Sequence, residues 1–179
     1  MNQHEGNMMM PEIKNILYCT DLSKNASFAF KYAVYLAKKT GANIHILKVV
    51  EELSNEEKFT LQTYIINQVS REEFLKQRLK NANTQLQERQ EYFWKEIAPE
   101  EHAMRKKIVS CEIIEGYPTQ TILRRSKELD CDLIVMGAHE KGWLHTLLGS
   151  VAKNVLRESR IPTLIVPRPE KKAQKEKSA

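Results

Sequence analysis

The sequence predicts an α/β fold in which five parallel strands form one sheet with helices on both faces. Two observations predict it. Short apolar runs alternate with amphipathic helical patterns along the chain, and one of those runs, residues 132–137, is almost continuously apolar, as in a strand covered on both faces. The 179 residues suffice for one domain. We expect a doubly wound sheet of order 3-2-1-4-5, with a ligand crevice beyond the carboxyl ends of its first and fourth strands.

The first part of the chain predicts a βαβ unit. Asp21 and Ser23 are candidates for the N-cap of its helix, and Gly41 is placed to end that helix. A right-handed crossover makes the two flanking strands parallel. The predicted elements are a strand at 15–20, a helix at 24–40 and a strand at 43–50.

The last part of the chain predicts three more strands and two helices. Val109, Cys111 and Ile113 alternate with polar residues, as expected of a strand with one buried face. Prolines flank the final strand, which suits the edge of a sheet because proline cannot donate to a ladder. The predicted elements are strands at 108–115, 132–137 and 161–167 and helices at 119–129 and 150–159.

An enlarged helical segment, residues 53–98, separates these two parts. It contains neither glycine nor proline. From Ser70 to Ile97 its apolar residues recur with helical periodicity, which predicts a helix that covers one face of the sheet. Residues 53–69 are expected to form an earlier helix or a lid that overhangs the crevice. The apolar stripe consists of Leu75, Leu79, Ala82, Leu86, Phe93 and Ile97.

Composition and charge exclude several classes of protein. With 41% hydrophobic and 28% charged residues, the chain is not wholly disordered. It has no apolar run of membrane-spanning length, and MNQHEGNMMM does not read as a signal peptide. Three cysteines, an odd number, favour free thiols and a cytoplasmic location.

The formal net charge of +5 includes +2 from the last ten residues, EKKAQKEKSA, which hold four Lys and two Glu. The remaining charge is too little clustered for a nucleic-acid surface. We expect a flexible N-terminus at residues 1–11, a single domain at 12–168 and a basic flexible tail at 169–179.

A run punctuated by glycines, GAHEKGWLHTLLGS, follows the fourth strand and leads into a helix. Glycines let backbone amides approach an anion, and a helix N-terminus favours negative charge. One interpretation is therefore a phosphate cradled by Gly149, Ser150 and Val151. In the other, Gly149 makes a turn and Ser150 caps the helix. Spacing alone does not separate the two.

Two blocks of the sequence resemble the universal stress protein family and together cover nearly the whole predicted fold. They read ILYCTDLSKNASFAFKYAVYLAKKTGANIHILKVV and EIIEGYPTQTILRRSKELDCDLIVMGAHEKGWLHTLLGSVAKNVLRESRIPTLIVP. The resemblance implies the five-stranded adenine nucleotide alpha hydrolase-like fold, dimers in many members and ATP binding in a subset. In that subset the nucleotide loop has the form G-x-x-G-x9-G-[S/T].

This chain matches the loop motif of the ATP-binding subset in part. Gly137 matches the first glycine, and Gly149 with Ser150 matches the closing pair. The second glycine falls where this chain has His139 and Glu140, and the interval between the first and last glycines is one residue shorter. A carboxylate there would repel phosphates, so the departure predicts weaker nucleotide binding than the full motif confers.

The resemblance also implies where the adenosine lies. Asp21 matches a carboxylate that contacts the adenosine moiety, and Val49 matches a residue whose backbone meets the adenine. Mg²⁺ is expected only through the nucleotide, without a protein cage. The expected site residues are Thr20, Asp21, Val49, Met136, Gly137, His139, Gly149, Ser150 and Val151.

No residue pattern predicts catalysis or a metal centre. His139 and His145, six positions apart, are not a metal signature. Glu140 has no evident nucleophile to activate, and neither a HIGH-type element nor an SGGxDS-type loop of nucleotidyl transfer is present. Cys111 and Cys131 are interpreted as buried structural thiols.

We therefore expect an ATP-binding regulatory or stress-response protein that acts as a dimer without fast catalytic turnover. The alternative is a nucleotide-free dimeric adaptor or signalling protein of the same fold, because the loop motif is incomplete. The homodimer is expected to pair through the final strand, whose apolar edge would otherwise be an aggregation liability. Neither a nucleic-acid nor a membrane partner is expected.

Overall fold

The computed structural model of the chain describes residues 10–65, 67–138 and 148–167. Its five strands pair in parallel in the order β3-β2-β1-β4-β5, which confirms the predicted topology. The predicted flexible ends at residues 1–11 and 169–179 lie almost wholly outside the described residues. The strands are β1 (Asn15–Cys19), β2 (Asn43–Glu51), β3 (Ile108–Gly116), β4 (Leu133–Gly137) and β5 (Thr163–Val166).

Helices cover both faces of this sheet. On one face, α1 and α3 pack against side chains such as Ile16 and Ile44. On the other, α4 and α5 pack against side chains such as Leu17 and Ile134. Within the three described ranges, no helix is both long enough and apolar enough to cross a membrane. The helices are α1 (Lys24–Thr40), α2 (Asn55–Tyr64), α3 (Gln68–Glu96), α4 (Pro118–Glu128) and α5 (Ser150–Glu158), with a 3₁₀ segment at Pro99–Lys107.

The two ends of α1 are set by local chemistry. Ser23 is its N-cap: the Ser23 hydroxyl accepts a hydrogen bond from the Ala26 amide at 3.1 Å. Asp21, the other candidate, instead accepts from the Ser23 amide at 2.9 Å, one turn before the helix. Gly41 ends the helix with a φ of +78°, a left-handed conformation that glycine adopts without strain.

The predicted coverage of the sheet by the long helix is correct only for its carboxyl-terminal half. Leu86, Phe93 and Trp94 are buried, and the rings of Phe93 and Phe30 lie 4.5 Å apart. Leu75 and Leu79, predicted on the same stripe, are only half-buried, so the prediction was wrong for the first part of the helix.

The length of α3 is the physical reason why only its carboxyl-terminal half covers the sheet. The 29 residues of α3 extend about 43 Å, whereas the nine-residue strand β2 extends about 30 Å. The helix meets the carboxyl edge of the sheet at Arg78, which donates to the Glu51 carbonyl at 2.8 Å and to the Glu115 carboxylate at 3.0 Å. Residues 68–77 therefore extend past the sheet.

The segment expected to be an earlier helix or a lid contains the helix α2. A capping box begins it, because the Ser54 hydroxyl accepts from the Glu57 amide while the Glu57 carboxylate accepts from the Ser54 amide. None of its residues is buried. Phe59 and Tyr64 are 70% and 82% exposed, so α2 adds nothing to the core of this domain.

The interpretation of the cysteines needs one correction. Cys19 and Cys131 are buried, but Cys111 is exposed. β3 is one of the two edge strands, so its side chains have strand neighbours on one side only. Val109, two residues earlier, is likewise 51% exposed. The alternation of apolar and polar residues in β3 therefore identifies a face of the sheet that is only partly covered.

We expect a thiol reagent to label Cys111 before Cys19 and Cys131 in the native protein. Burial raises the pKa of Cys19 far above its ordinary value and that of Cys131 to about 12, so both stay protonated as well as shielded. Partial burial also raises the pKa of Cys111, so its labelling should keep accelerating as the pH rises above the ordinary thiol pKa of about 8.5. Peptide mapping by mass spectrometry measures the order, and Cys111→Ser should remove the fast phase. Equal labelling of all three thiols would contradict this.

Candidate functional site

A cavity of about 440 Å³ opens at the carboxyl edge of the sheet, where β1 and β4 are neighbours. The strand order reverses there, as the doubly wound topology requires. The wall of this cavity contains eight of the nine residues expected from the sequence, while His139 lies outside the described residues. The eight are Thr20, Asp21, Val49, Met136, Gly137, Gly149, Ser150 and Val151.

The amino terminus of α5 forms one side of the cavity. Gly149, rather than Ser150, is the N-cap, and no side chain of the described residues caps this helix. Its first-turn residues Ser150, Val151 and Ala152 all line the cavity. An N-terminus of this kind presents backbone N–H groups and a partial positive charge of about half a unit. It is suited to an anionic group.

The turn between β1 and α1 forms the opposite side. The Thr20 amide donates to the Leu47 carbonyl at 3.0 Å, and the Thr20 hydroxyl accepts from the Leu22 amide at 3.0 Å. Leu22 has a φ of +68°, which is strained for a leucine. These hydrogen bonds, with that of Asp21 to the Ser23 amide, hold the Asp21 carboxylate at the exposed rim of the cavity.

Two charged wall residues were missed by the sequence analysis. Lys48 and Glu51 lie on β2 and line the cavity with Asp21. Burial lowers the pKa of the Lys48 ammonium, and the negative charges of Asp21 and Glu51 partly oppose that shift. A signal existed for Lys48, since a lysine in the otherwise apolar run NIHILKVV is unusual for a buried strand.

A third missed wall residue is Asn25, in the first turn of α1. It is 7% exposed, and its side-chain Nδ2 donates to the carbonyl of Ala138. Gly137 makes this contact possible, because a Cβ there would lie 3.0 Å from Asn25 Nδ2 and 3.3 Å from the Ala26 amide nitrogen. The absence of a side chain at Gly137 thus lets the first turn of α1 pack closely against the end of β4. Nothing in the sequence spacing pointed to Asn25.

Sequence comparison identifies the relatives of this chain. The model of the Universal stress protein family matches residues 12–167. Universal stress protein MJ0577 of Methanocaldococcus jannaschii is 30% identical over 159 residues, which covers 87% of this chain and 95% of that protein. The match therefore spans nearly the whole of both sequences.

Solved structures share the fold. The universal stress protein UspA from Lactobacillus plantarum superimposes with a TM-score of 0.64 at 23% identity, covering 88% of this chain and 99% of that one. A universal stress protein in complex with cAMP superimposes with a TM-score of 0.50 at 20% identity, covering 88% of this chain and 98% of that one. At these identities the likeness concerns the fold.

Proposed function

The chain belongs to the universal stress protein family, and on that premise we propose that it is an ATP-binding regulatory or stress-response protein that acts as a dimer without fast catalytic turnover. One observation carries the proposal: the cavity at the carboxyl edge is bounded by the Asp21 turn on one side and, on the other, by the amino terminus of α5, which no described side chain caps. An anion-binding end and a hydrogen-bond acceptor thus face one cavity, as a nucleotide requires. The same fold holds an adenine nucleotide in the protein crystallised with cAMP.

In the proposed complex the adenine lies beside Asp21 and Val49. The Asp21 carboxylate accepts a hydrogen bond from the base or the ribose, and half-buried Val49 offers an apolar contact. The phosphates lie against the first turn of α5, where the amides beyond Gly149 and the Ser150 hydroxyl donate to them. Lys48 is the one cation among the described wall residues, and the carboxylates of Asp21 and Glu51 line the same cavity.

Mg²⁺ enters this proposal only with the nucleotide. The described residues contain no group of three or more side chains placed to hold a metal ion. Mg²⁺ keeps several waters and commonly bridges phosphate oxygens, so it needs no protein cage here. Asp21 and Glu51 are the wall carboxylates that the hydrated ion would face.

Mass spectrometry of nucleotide released from the purified, denatured protein is the direct test. We expect an adenine nucleotide, and we expect calorimetry with Mg-ATP to show binding weaker than a complete loop motif confers. Phosphate release measured in the same samples should stay near the uncatalysed rate. Absence of bound nucleotide, together with no calorimetric signal at millimolar Mg-ATP, would contradict the proposal.

The adaptor alternative has one observation in its favour. Phe59 and Tyr64 on α2 and Val69 at the start of α3 are all exposed, and none of the residues described between 55 and 69 is buried. Such side chains suit contact with another protein more than nucleotide binding. If the nucleotide experiments fail, the adaptor function takes the place of the first proposal.

The dimer is proposed to form by antiparallel pairing of β5 with its symmetry mate. β5 is an edge strand, and Leu164 and Ile165 on it are only half-buried. An open apolar edge favours pairing with another strand, and two-fold symmetry makes that pairing isologous.

We expect Ile165→Lys to convert the dimer to a monomer, because each copy would carry a charge into the paired edge. Light scattering after size-exclusion chromatography measures the mass, and circular dichroism checks that the variant is folded. Val109→Lys is the matched control, since it places the same charge on the opposite edge strand, β3. A folded Ile165→Lys dimer would place the interface elsewhere.

A further inference from the structure

The side-chain oxygen of Asn25, Oδ1, is a buried hydrogen-bond acceptor that receives no hydrogen bond from the described residues. The residue is 7% exposed, and its Oδ1 has no hydrogen-bond partner within residues 10–65, 67–138 and 148–167. A buried acceptor left without a partner costs about 1–3 kcal/mol, so such a group calls for a missing donor. Asn25 also lines the 440 Å³ cavity. The missing donor can therefore come from a ligand.

The orientation of the Asn25 amide is determined by Ala138, the residue that follows β4. Its Nδ2 donates to the Ala138 carbonyl, while the Ala138 amide donates to the Val166 carbonyl at 2.9 Å. Ala138 is thus held between α1 and β5 by its carbonyl and its amide. Turning the Asn25 amide over would set its oxygen against the Ala138 carbonyl oxygen, which is repulsive. Oδ1 therefore lies on the side of the amide away from Ala138.

The place of Asn25 in the cavity indicates which part of a nucleotide it would meet. Asp21 and Val49, the proposed adenine contacts, lie at the ends of β1 and β2, and the phosphate-binding turn begins at Gly149. Asn25 lies on α1 against Gly137 at the end of β4, the strand next to β1, and it lines the same cavity as both of those groups. The ribose joins the base to the phosphates, and its hydroxyl groups are hydrogen-bond donors.

We propose that Asn25 is a specificity-determining residue of the nucleotide site and that its Oδ1 accepts a hydrogen bond from a ribose hydroxyl. This inference rests on the proposed nucleotide-binding function. It predicts that the site selects ribonucleotides over a deoxynucleotide, because a nucleotide lacking the hydroxyl leaves the buried oxygen unpaired. Sites built to hydrogen-bond a ligand hydroxyl discriminate strongly against the analogue without it.

The experiment combines removal of the ligand hydroxyl with removal of the side chain. Calorimetry measures the affinities of ATP, 2′-deoxy-ATP and 3′-deoxy-ATP for the wild-type protein and for Asn25→Ala. We expect the wild type to bind ATP about tenfold more tightly than one of the two analogues, which also identifies the hydroxyl. In Asn25→Ala that preference should fall to about twofold or less, because the cycle isolates the pairwise interaction.

Controls separate this role from a structural one. Asn43→Ala removes the same side chain at the start of β2, at the far edge of the sheet, and should leave the preference unchanged. Asn25→Leu fills the volume without a polar atom and replaces Asn25→Ala should that variant not fold.

Three results would overturn the inference. Equal weakening of all three nucleotides by Asn25→Ala would mean a structural role only. Equal binding of the three by the wild type would show that no ribose hydroxyl is read, whatever the variants do. If the wild type binds no ATP at all, the proposed function fails as well, so the two failures are distinguishable.

Discussion

Replacing Gly149 by valine should abolish ATP binding while the protein stays folded. Gly149 is the N-cap of α5 with φ −57° and ψ 153°, a conformation open to valine, so the backbone is not strained by the change. The branched side chain would instead stand over the first-turn amides that the phosphates need. Each hydrogen bond to a charged group is worth about 1.5–3 kcal/mol, so losing two lowers affinity roughly 100-fold or more. Calorimetry with Mg-ATP measures the loss.

Gly41→Ala is the matched control at the other edge of the sheet. Gly41 has a φ of +78°, so a side chain there is strained and should lower the free energy of unfolding by about 1–2 kcal/mol. ATP affinity should not change, because Gly41 is distant from the cavity. The two variants thus separate ligand binding from stability. If Gly149→Val binds ATP as tightly as the wild type, the amino terminus of α5 does not take part in nucleotide binding.

Truncating Leu86 to alanine should lower the free energy of unfolding by about 2–5 kcal/mol. Leu86 is 1% exposed and packs in the layer between α3 and the sheet, among Phe30, Phe93 and Trp94. The loss combines the transfer of the removed methyl groups with the cavity left behind, which tightly packed aromatic neighbours fill poorly. Urea unfolding monitored by tryptophan fluorescence measures this loss of stability, because Trp94 packs in the same layer and reports on its unfolding.

The same truncation at Leu79 provides the comparison. Leu79 lies on the same helix but is only half-buried, near the point where α3 leaves the sheet. We expect a loss of about 1 kcal/mol, in proportion to the smaller apolar area removed from water. Equal losses at the two positions would mean that the first half of α3 is covered in solution, as a partner or a second copy would do.

The candidate site shows where sequence reasoning succeeds and where it stops. Asp21 and Gly149 could be assigned to one crevice because parallel strands end at a common edge and the strand order reverses there. Asn25 could not be assigned, because its orientation in the cavity wall depends on a contact with Ala138, 113 positions away. Lys48 carried a weak sign, a charge within an apolar run. Glu51 carried none, since a glutamate at a strand end is ordinary.

The sequence by itself determined the element order, the parallel topology and the edge of the sheet at which the cavity opens. Helical and strand periodicities are local properties of the chain, and the short crossover from β1 to β2 allows one handedness, so neighbouring residues suffice to predict them.

Only the tertiary structure decided how much of each predicted face is covered. The apolar spacing of α3 continues past Leu79 in both directions, but burial requires a partner surface, and the sheet ends near Arg78. Cys111 likewise has the alternation of a covered strand yet is exposed, because β3 has a neighbour on one side only. Only the tertiary structure likewise shows that the buried Oδ1 of Asn25 has no hydrogen-bond partner among the described residues. Periodicity records which side of an element is apolar, whereas burial and hydrogen bonding depend on what the rest of the chain places against that side.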